Sequence, residues 1–291
     1  MNYQVPNRGT PPANKIKDSV NQEAELLSEN LLKIKHKIVI MSGKGGVGKS
    51  TISANLAVAL ANRNQKVGIL DSDIHGPSIP SLLGVKDKRP DVVNERIVPV
   101  KGPLNLQIIS IDFFLPDNTS PVIWRGPLKM RALKQFLSDI AWPTLDYLII
   151  DLPPGTGDEP LSIMQLIPDL DGIIMITIPS DVSQHVVRKA INMTKQMDVP
   201  IIGLIENMSG FVCPTCNTYY DMLGSGGGES LAKEYGIPFL GKIPIDPIIA
   251  KDADSGKSFL LETSNNSCIK AMNEIIDKIL ETVDLLTYKI S

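Results

Sequence analysis

The sequence predicts a three-layer α/β fold in which a mostly parallel sheet is flanked by helices. From Lys37 onward, short apolar runs alternate with longer segments of helical pattern, as expected for β-α units. The apolar runs are continuous and strand-sized, which is typical of parallel strands buried on both faces. A glycine-rich stretch, residues 43–48, joins the first run to the first helical segment. The predicted strands cover residues 38–41, 67–70, 106–111, 147–150, 172–178, 201–205 and 239–243.

The chain divides into an extension and one larger domain. A length of 291 residues suits a single α/β domain of about 250 residues with tails. We expect residues 1–36 to be an N-terminal extension, mobile over its first 18 residues and then helical at 20–32. Residues 37–291 form the domain, with a cysteine-containing loop at 207–228 and a C-terminal helix. The predicted helices cover residues 50–63, 128–140, 182–197, 229–235 and 269–286.

Composition excludes several classes of function. The formal net charge of -3 lacks the basic excess that is usual in nucleic-acid-binding domains. The polar first 12 residues contain no apolar core of a signal peptide, and no apolar run is long enough to span a bilayer. Three cysteines cannot form a fully paired disulfide framework. We therefore expect a cytoplasmic protein that binds neither nucleic acid nor membrane.

The glycine-rich stretch is a complete phosphate-binding loop. It reads Gly43-Lys44-Gly45-Gly46-Val47-Gly48-Lys49-Ser50, which matches G-x-x-x-x-G-K-[ST] and lies between a predicted strand and a predicted helix. The backbone amides of such a loop, together with the helix N-terminus, bind phosphate oxygens. Lys49 is expected to reach the β- and γ-phosphates, Ser50 to bind Mg²⁺, and Thr51 to bind the α-phosphate. A chance glycine-rich turn would not have both flanking elements, so the sequence predicts a P-loop NTPase fold that binds ATP and Mg²⁺.

Three aspartates follow predicted strands and should therefore lie at the ligand edge of the sheet. Asp73 is our candidate for orienting or deprotonating the attacking water. Asp71 and Asp151 are candidates for the Mg²⁺ shell, and Asp151 ends a hydrophobic strand of the Walker B kind. Residues 152–158, rich in proline and glycine, have the composition of a switch. Each single aspartate could instead cap a helix or form a turn.

The pair Cys213 and Cys216 forms a Cys-x-x-Cys motif in a predicted loop. Disulfide exchange of the thioredoxin kind, half of a zinc site and half of an iron–sulfur site are all compatible with it. Zinc or a 4Fe–4S cluster normally takes four protein ligands, and no histidine is near in sequence. A two-fold homodimer would supply four thiolates on its axis. Cys268, at the start of the last predicted helix, is expected to be a buried apolar residue.

Several segments together resemble the Mrp/ApbC iron–sulfur cluster carriers, over about residues 37–258. They are KGGVGKST at 44–51, DIHGPSIP at 73–80, VIWRGP at 122–127, DLPPGTGD at 151–158, ENMS at 206–209 and FVCPTC at 211–216. The phosphate loop, with its second lysine, also resembles the deviant Walker A loop of the MinD, ParA and nitrogenase-iron-protein class. In that class the lysine equivalent to Lys44 crosses a dimer interface to the partner's nucleotide.

The resemblance implies a homodimeric ATPase that holds a bridging 4Fe–4S cluster on Cys213 and Cys216. The cluster would come from a donor and pass to apo iron–sulfur proteins, and Asn207 would contact adenine. The chain departs from some relatives, because residues 1–36 contain no cysteine motif and leave no room for a further domain. It also has Leu223 where an aromatic residue often precedes the glycine cluster.

Two other functions remain as alternatives. A MinD/ParA-like regulatory ATPase could hold a structural zinc at the cysteine pair. A MinD-type protein should end in a basic amphipathic helix, whereas residues 270–291 balance three lysines against four carboxylates. An electron-transfer ATPase like the nitrogenase iron protein has its cluster cysteines far apart along the chain. The carrier function is therefore favoured.

Overall fold

The computed structural model describes residues 25–114, 137–167, 169–213, 215–216, 218–261 and 267–290. The first 18 residues, for which we predicted mobility, and the VIWRGP segment at 122–127 lie outside these residues. The helix predicted at 128–140 is described only from residue 137, and residues 137–139 are helical. Residues 25–31 form a helix, α1, within the helix predicted at 20–32. Its Leu27 and Leu31 are buried in the hydrophobic core, so this helix packs on the rest of the fold.

Strands and their pairing confirm the predicted sheet. The described strands are β1 (Ile34–Ser42), β2 (Val67–Asp71), β3 (Asp91–Val93), β4 (Arg96–Val98), β5 (Val100–Lys101), β6 (Gln107–Ser110), β7 (Leu145–Asp151), β8 (Gly172–Thr177), β9 (Ile201–Glu206), β10 (Phe211–Val212), β11 (Tyr219–Tyr220) and β12 (Phe239–Lys242). The main sheet has eight strands in the order β12-β9-β8-β1-β7-β2-β6-β5. Neighbouring strands of this sheet run parallel to each other, except that the edge strand β5 pairs antiparallel with β6. All the predicted strands are present, while β5 and the hairpins β3–β4 and β10–β11 were not predicted.

Of the helices that follow α1, some were predicted from the sequence and others were not. They are α2 (Lys49–Asn62), α3 (Ile79–Leu82), α4 (Asp158–Leu166), α5 (Asp181–Gln196), α6 (Gly227–Tyr235), α7 (Pro247–Asp254) and α8 (Ser267–Ile290). The predictions that correspond to α2, α5, α6 and α8 are confirmed. The short helices α3, α4 and α7 were missed, and each has a proline in its first turn (Pro80, Pro160 and Pro247). A first-turn proline costs little, because the amide that it lacks has no partner within the helix.

Two apolar layers cover the two faces of the sheet. Side chains alternate across a strand, so Ile38 and Ile40 of β1 belong to one layer and Val39 and Met41 to the other. The first layer includes side chains of α2 and α8, and the second includes those of α1, α4, α5 and α6. This arrangement confirms the three-layer fold and explains why the strands read as continuous apolar runs. Among the described residues, no helix is both long and apolar enough to cross a bilayer.

Candidate nucleotide site and cysteine hairpin

The phosphate loop connects β1 to α2 at the carboxyl edge of the sheet. Gly46 and Gly48 have positive φ angles of 77° and 79°, which glycine adopts without steric cost. A Cβ atom at Gly48 would lie 2.2 Å from Asn207 Nδ2. Gly48 therefore needs to be glycine both for its conformation and for the close approach of Asn207.

Lys49, Ser50 and Ser53 converge on the buried carboxylate of Asp151. Lys49 Nζ and Ser50 Oγ donate to Asp151 Oδ2 at 2.7 and 2.6 Å, and Ser53 Oγ donates to Oδ1 at 2.5 Å. Sequence reasoning missed Ser53, although its position one turn after Lys49 on α2 puts it on the same helix face. Ser50 and Asp151 offer neighbouring oxygen atoms, the kind of ligand that Mg²⁺ prefers. The residues present thus fit a magnesium ion.

Asp71 lies opposite Asp151 in the pairing of β2 with β7. Its Oδ2 accepts hydrogen bonds from the Ser78 and Ile79 amides, at 3.0 and 3.1 Å, and from Ser110 Oγ at 3.1 Å. Burial, and then the negative charge of Asp151, raise the pKa of Asp71 to about 7. In the described contacts, Asp71 thus organises the loop between β2 and α3.

Asp73 and His75 lie in the same loop. Asp73 Oδ1 accepts hydrogen bonds from the amides of His75 and Gly76, both at 3.1 Å, which fixes the carboxylate in a tight turn. His75 Nε2 lies 3.5 Å from Glu159 Oε1 in α4. The loop after β2 therefore contacts the first turn of α4, directly after the switch predicted at residues 152–158.

Asn207 closes the far side of the phosphate loop. Its Nδ2 donates to the carbonyl of Val47 at 2.9 Å. Beside it lies a cavity of about 270 Å³, lined mainly by apolar atoms. Among its lining residues are Gly48, Thr51, Asn207, Met208, Ile245 and Phe259. A largely apolar space next to a phosphate loop suits a nucleotide base. The segment between β12 and α7 supplies much of this wall, and sequence reasoning did not identify it.

Lys44 is half-buried in the loop. Its carbonyl accepts a hydrogen bond from Ser42 Oγ at 3.0 Å, which fixes the backbone at this point. Within the described part of the chain, no carboxylate lies within ion-pair distance of its ammonium group.

Cys213 and Cys216 lie in the connection of the small hairpin formed by β10 and β11, here called the cysteine hairpin (residues 211–220). The Cys213 amide donates to the Thr218 carbonyl at 3.0 Å, and Cys216 Sγ lies 3.2 Å from Thr218 Oγ1. Hydrogen bonding, first from the Thr218 side chain, lowers the pKa of the exposed Cys216 thiol. The pair does not open a helix, which argues against the thioredoxin alternative.

Exposed apolar side chains lie close to the two cysteines along the chain. They are Val212, Tyr219, Tyr220, Met222 and Leu223. By contrast Cys268 is fully buried, and burial raises the pKa of its thiol to about 12. The prediction that Cys268 is a buried apolar residue is confirmed. Within the described residues, no group of three or more histidine, cysteine or acidic side chains could hold a metal ion.

Comparison with known proteins places the chain in a family. A family model described as NUBPL iron-transfer P-loop NTPase matches residues 33–280. The chain belongs to this family. It is 50% identical, over 96% of its length and 95% of the relative, to the iron-sulfur cluster carrier protein of Methanocaldococcus jannaschii. It is also 44% identical to the cytosolic Fe-S cluster assembly factor NUBP2 homolog of Nematostella vectensis, over 87% of this chain and 96% of that one.

A solved structure agrees with this membership. The nucleotide-binding protein of Archaeoglobus fulgidus, in complex with ADP, superposes with a TM-score of 0.72 at 42% identity. The match covers 81% of this chain and 92% of that one. The predicted P-loop NTPase fold and the resemblance to iron–sulfur cluster carriers are both confirmed.

Proposed function

We propose that this protein is an ATP-hydrolysing carrier that holds a 4Fe–4S cluster between two copies of the chain and transfers it to apoproteins. The observation that carries the proposal is the pair of surface thiols on a hairpin that follows β9, at the same sheet edge as a complete phosphate loop. The names of the relatives, an iron-sulfur cluster carrier protein and a cytosolic Fe-S cluster assembly factor, support it. The second name also supports a cytoplasmic location.

The proposed nucleotide site is formed by the phosphate loop and the residues around Asp151. The loop amides of residues 43–48 and the N-terminus of α2 would hold the phosphates. Lys49 would move from Asp151 to the β- and γ-phosphates, and Thr51 would contact the α-phosphate. Ser50, Asp151 and Asp71 would bind Mg²⁺, and Asp73 would orient the attacking water. Asn207 and the apolar cavity would hold the adenine.

The cluster itself is the cargo. Each chain offers two thiols, so a two-fold dimer offers the four that a 4Fe–4S cluster takes. The apolar side chains around the cysteine hairpin suit an interface with a second copy, because apolar side chains gathered at one surface mark contact sites. Lys44, which pairs with no carboxylate among the described residues, would contact the partner's nucleotide. A cluster held by surface thiols remains accessible to a competing four-thiol apoprotein.

Anaerobic reconstitution tests the proposal. The protein with iron and sulfide restored should hold about four iron atoms per dimer, the content of one 4Fe–4S cluster. It should also activate an apoenzyme that requires a cluster. Cys213→Ala and Cys216→Ala should lose both properties while they still bind ATP, and Cys268→Ala is the matched control that keeps them. A dimer that binds one zinc tightly and transfers no cluster would instead support the zinc-containing regulatory ATPase.

A further inference from the structure

Glu206 is a fully buried carboxylate at the end of β9, and it joins two loops. Its Oε1 accepts hydrogen bonds from Ser209 Oγ at 2.5 Å and from the Gly226 amide at 2.9 Å. Its Oε2 accepts from the Gly228 amide at 2.5 Å. Ser209 leads into the cysteine hairpin, and the two glycines belong to the first turn of α6 and the loop before it. One carboxylate therefore holds the base of the hairpin to a helix N-terminus, where negative charge is favoured.

The residues next to Glu206 contact the nucleotide site. Asn207 donates to Val47 in the phosphate loop and lines the apolar cavity. Two backbone hydrogen bonds, Ser209 N to Ile243 O at 2.9 Å and Ile245 N to Gly210 O at 2.8 Å, tie the hairpin base to a wall of that cavity. A shift of Asn207 on nucleotide binding would thus act directly on the segment that carries Ser209.

Close packing makes these loops stiff. A Cβ atom at Gly228 would lie 2.9 Å from Leu204 Cδ2 and 3.1 Å from the Cβ of Glu206 itself. On the hairpin side, Gly210 has a φ of 74°, and the Tyr219 ring packs where a Cβ would be. Packed elements have a few discrete arrangements rather than a continuum, so a displacement at the hairpin base is transmitted to the thiols.

We propose that Glu206 is a positioning residue that couples the nucleotide site to the cysteine hairpin. The inference rests on the proposed function, in which the same chain hydrolyses ATP and holds the cluster on Cys213 and Cys216. Neither Glu206 nor the donors that it binds line the cavity. Its role is therefore to transmit a change in the position of Asn207 and not to bind the nucleotide.

Thiol labelling of the cluster-free protein tests this coupling. In a Cys268→Ala background, the rates at which iodoacetamide labels Cys213 and Cys216 are measured with and without saturating MgADP. Peptide mass spectrometry separates the two cysteines, and sedimentation confirms the same oligomer in both conditions. MgADP should change at least one labelling rate by about fivefold, the lower end of typical coupling between sites.

Glu206→Gln is the test variant and Glu229→Gln the matched control. Glutamine has nearly the same shape, but its amide N–H group must face at least one of the three donors, so at least one hydrogen bond is lost. Glu229 lies in α6 and pairs with Lys242 at 2.9 Å, so its change removes a nearby charge without touching the hairpin base. Glu206→Gln should bind MgADP with parental affinity and lose the effect of MgADP on labelling, while Glu229→Gln should keep that effect.

Two results would overturn the proposal. One is a parent protein whose labelling rates do not respond to MgADP, and the other is a Glu206→Gln protein that responds as the parent does. If Glu206→Gln does not fold, Ser209→Ala removes one donor to the same carboxylate and should weaken the response to MgADP. The assay uses no iron, so failure of the coupling is distinguishable from failure to carry a cluster.

Discussion

Replacing Gly48 by alanine should destabilise the nucleotide-free protein through two separable effects. The residue has a φ of 79°, and a left-handed conformation costs an L-residue about 1–2 kcal/mol. The new Cβ would also lie 2.2 Å from Asn207 Nδ2, so Asn207 must move away from the Val47 carbonyl. A buried carbonyl without its donor costs a further loss of about 1–3 kcal/mol. The variant should therefore lose about 2–5 kcal/mol of unfolding free energy, the sum of these two costs.

Comparison of Gly48→Ala with Gly46→Ala isolates the second effect, the loss of the hydrogen bond from Asn207 to Val47. Gly46 has nearly the same φ, 77°, but a Cβ there has no described atom within 4 Å. Urea unfolding of both variants without nucleotide should show that Gly48→Ala loses about 1–3 kcal/mol more than Gly46→Ala. Equal losses in the two variants would refute the reasoning that Asn207 and Val47 are tied together in the free protein.

Two further predictions concern turnover. Lys49→Ala removes the charge that would hold the β- and γ-phosphates, so phosphate release from ATP should be abolished while circular dichroism still shows a folded protein; undiminished hydrolysis would place the ATPase centre elsewhere. Lys44→Ala should impair turnover more than ATP binding, and mixed dimers of Lys44→Ala with Lys49→Ala chains should retain one competent site. A strictly monomeric Lys44→Ala protein with full ATPase activity would exclude a role for Lys44 across an interface.

Local sequence patterns were enough to predict the sheet and the phosphate loop. Continuous apolar runs such as residues 201–205 are typical of strands covered on both faces, and the two layers around β1 show that covering. The spacing from Gly43 to Ser50, between a strand and a helix, fixes which groups lie at the helix N-terminus. The position of Asp71 and Asp151 after strands placed them at one edge, because parallel strands end on the same side.

Only the tertiary structure showed which side chains are in contact at the carboxyl edge of the sheet. Ser53 contacts Asp151 across 98 positions of sequence, and Asn207 contacts Val47 across 160. Glu206 directly follows the strand predicted at 201–205, and the return of residues 226–228 to β9 adds two amide donors to the one from Ser209. The sequence likewise did not predict that the segment between β12 and α7 forms a wall of the cavity. Such contacts depend on how distant segments pack, whereas sequence periodicity and motif spacing report on neighbours along the chain.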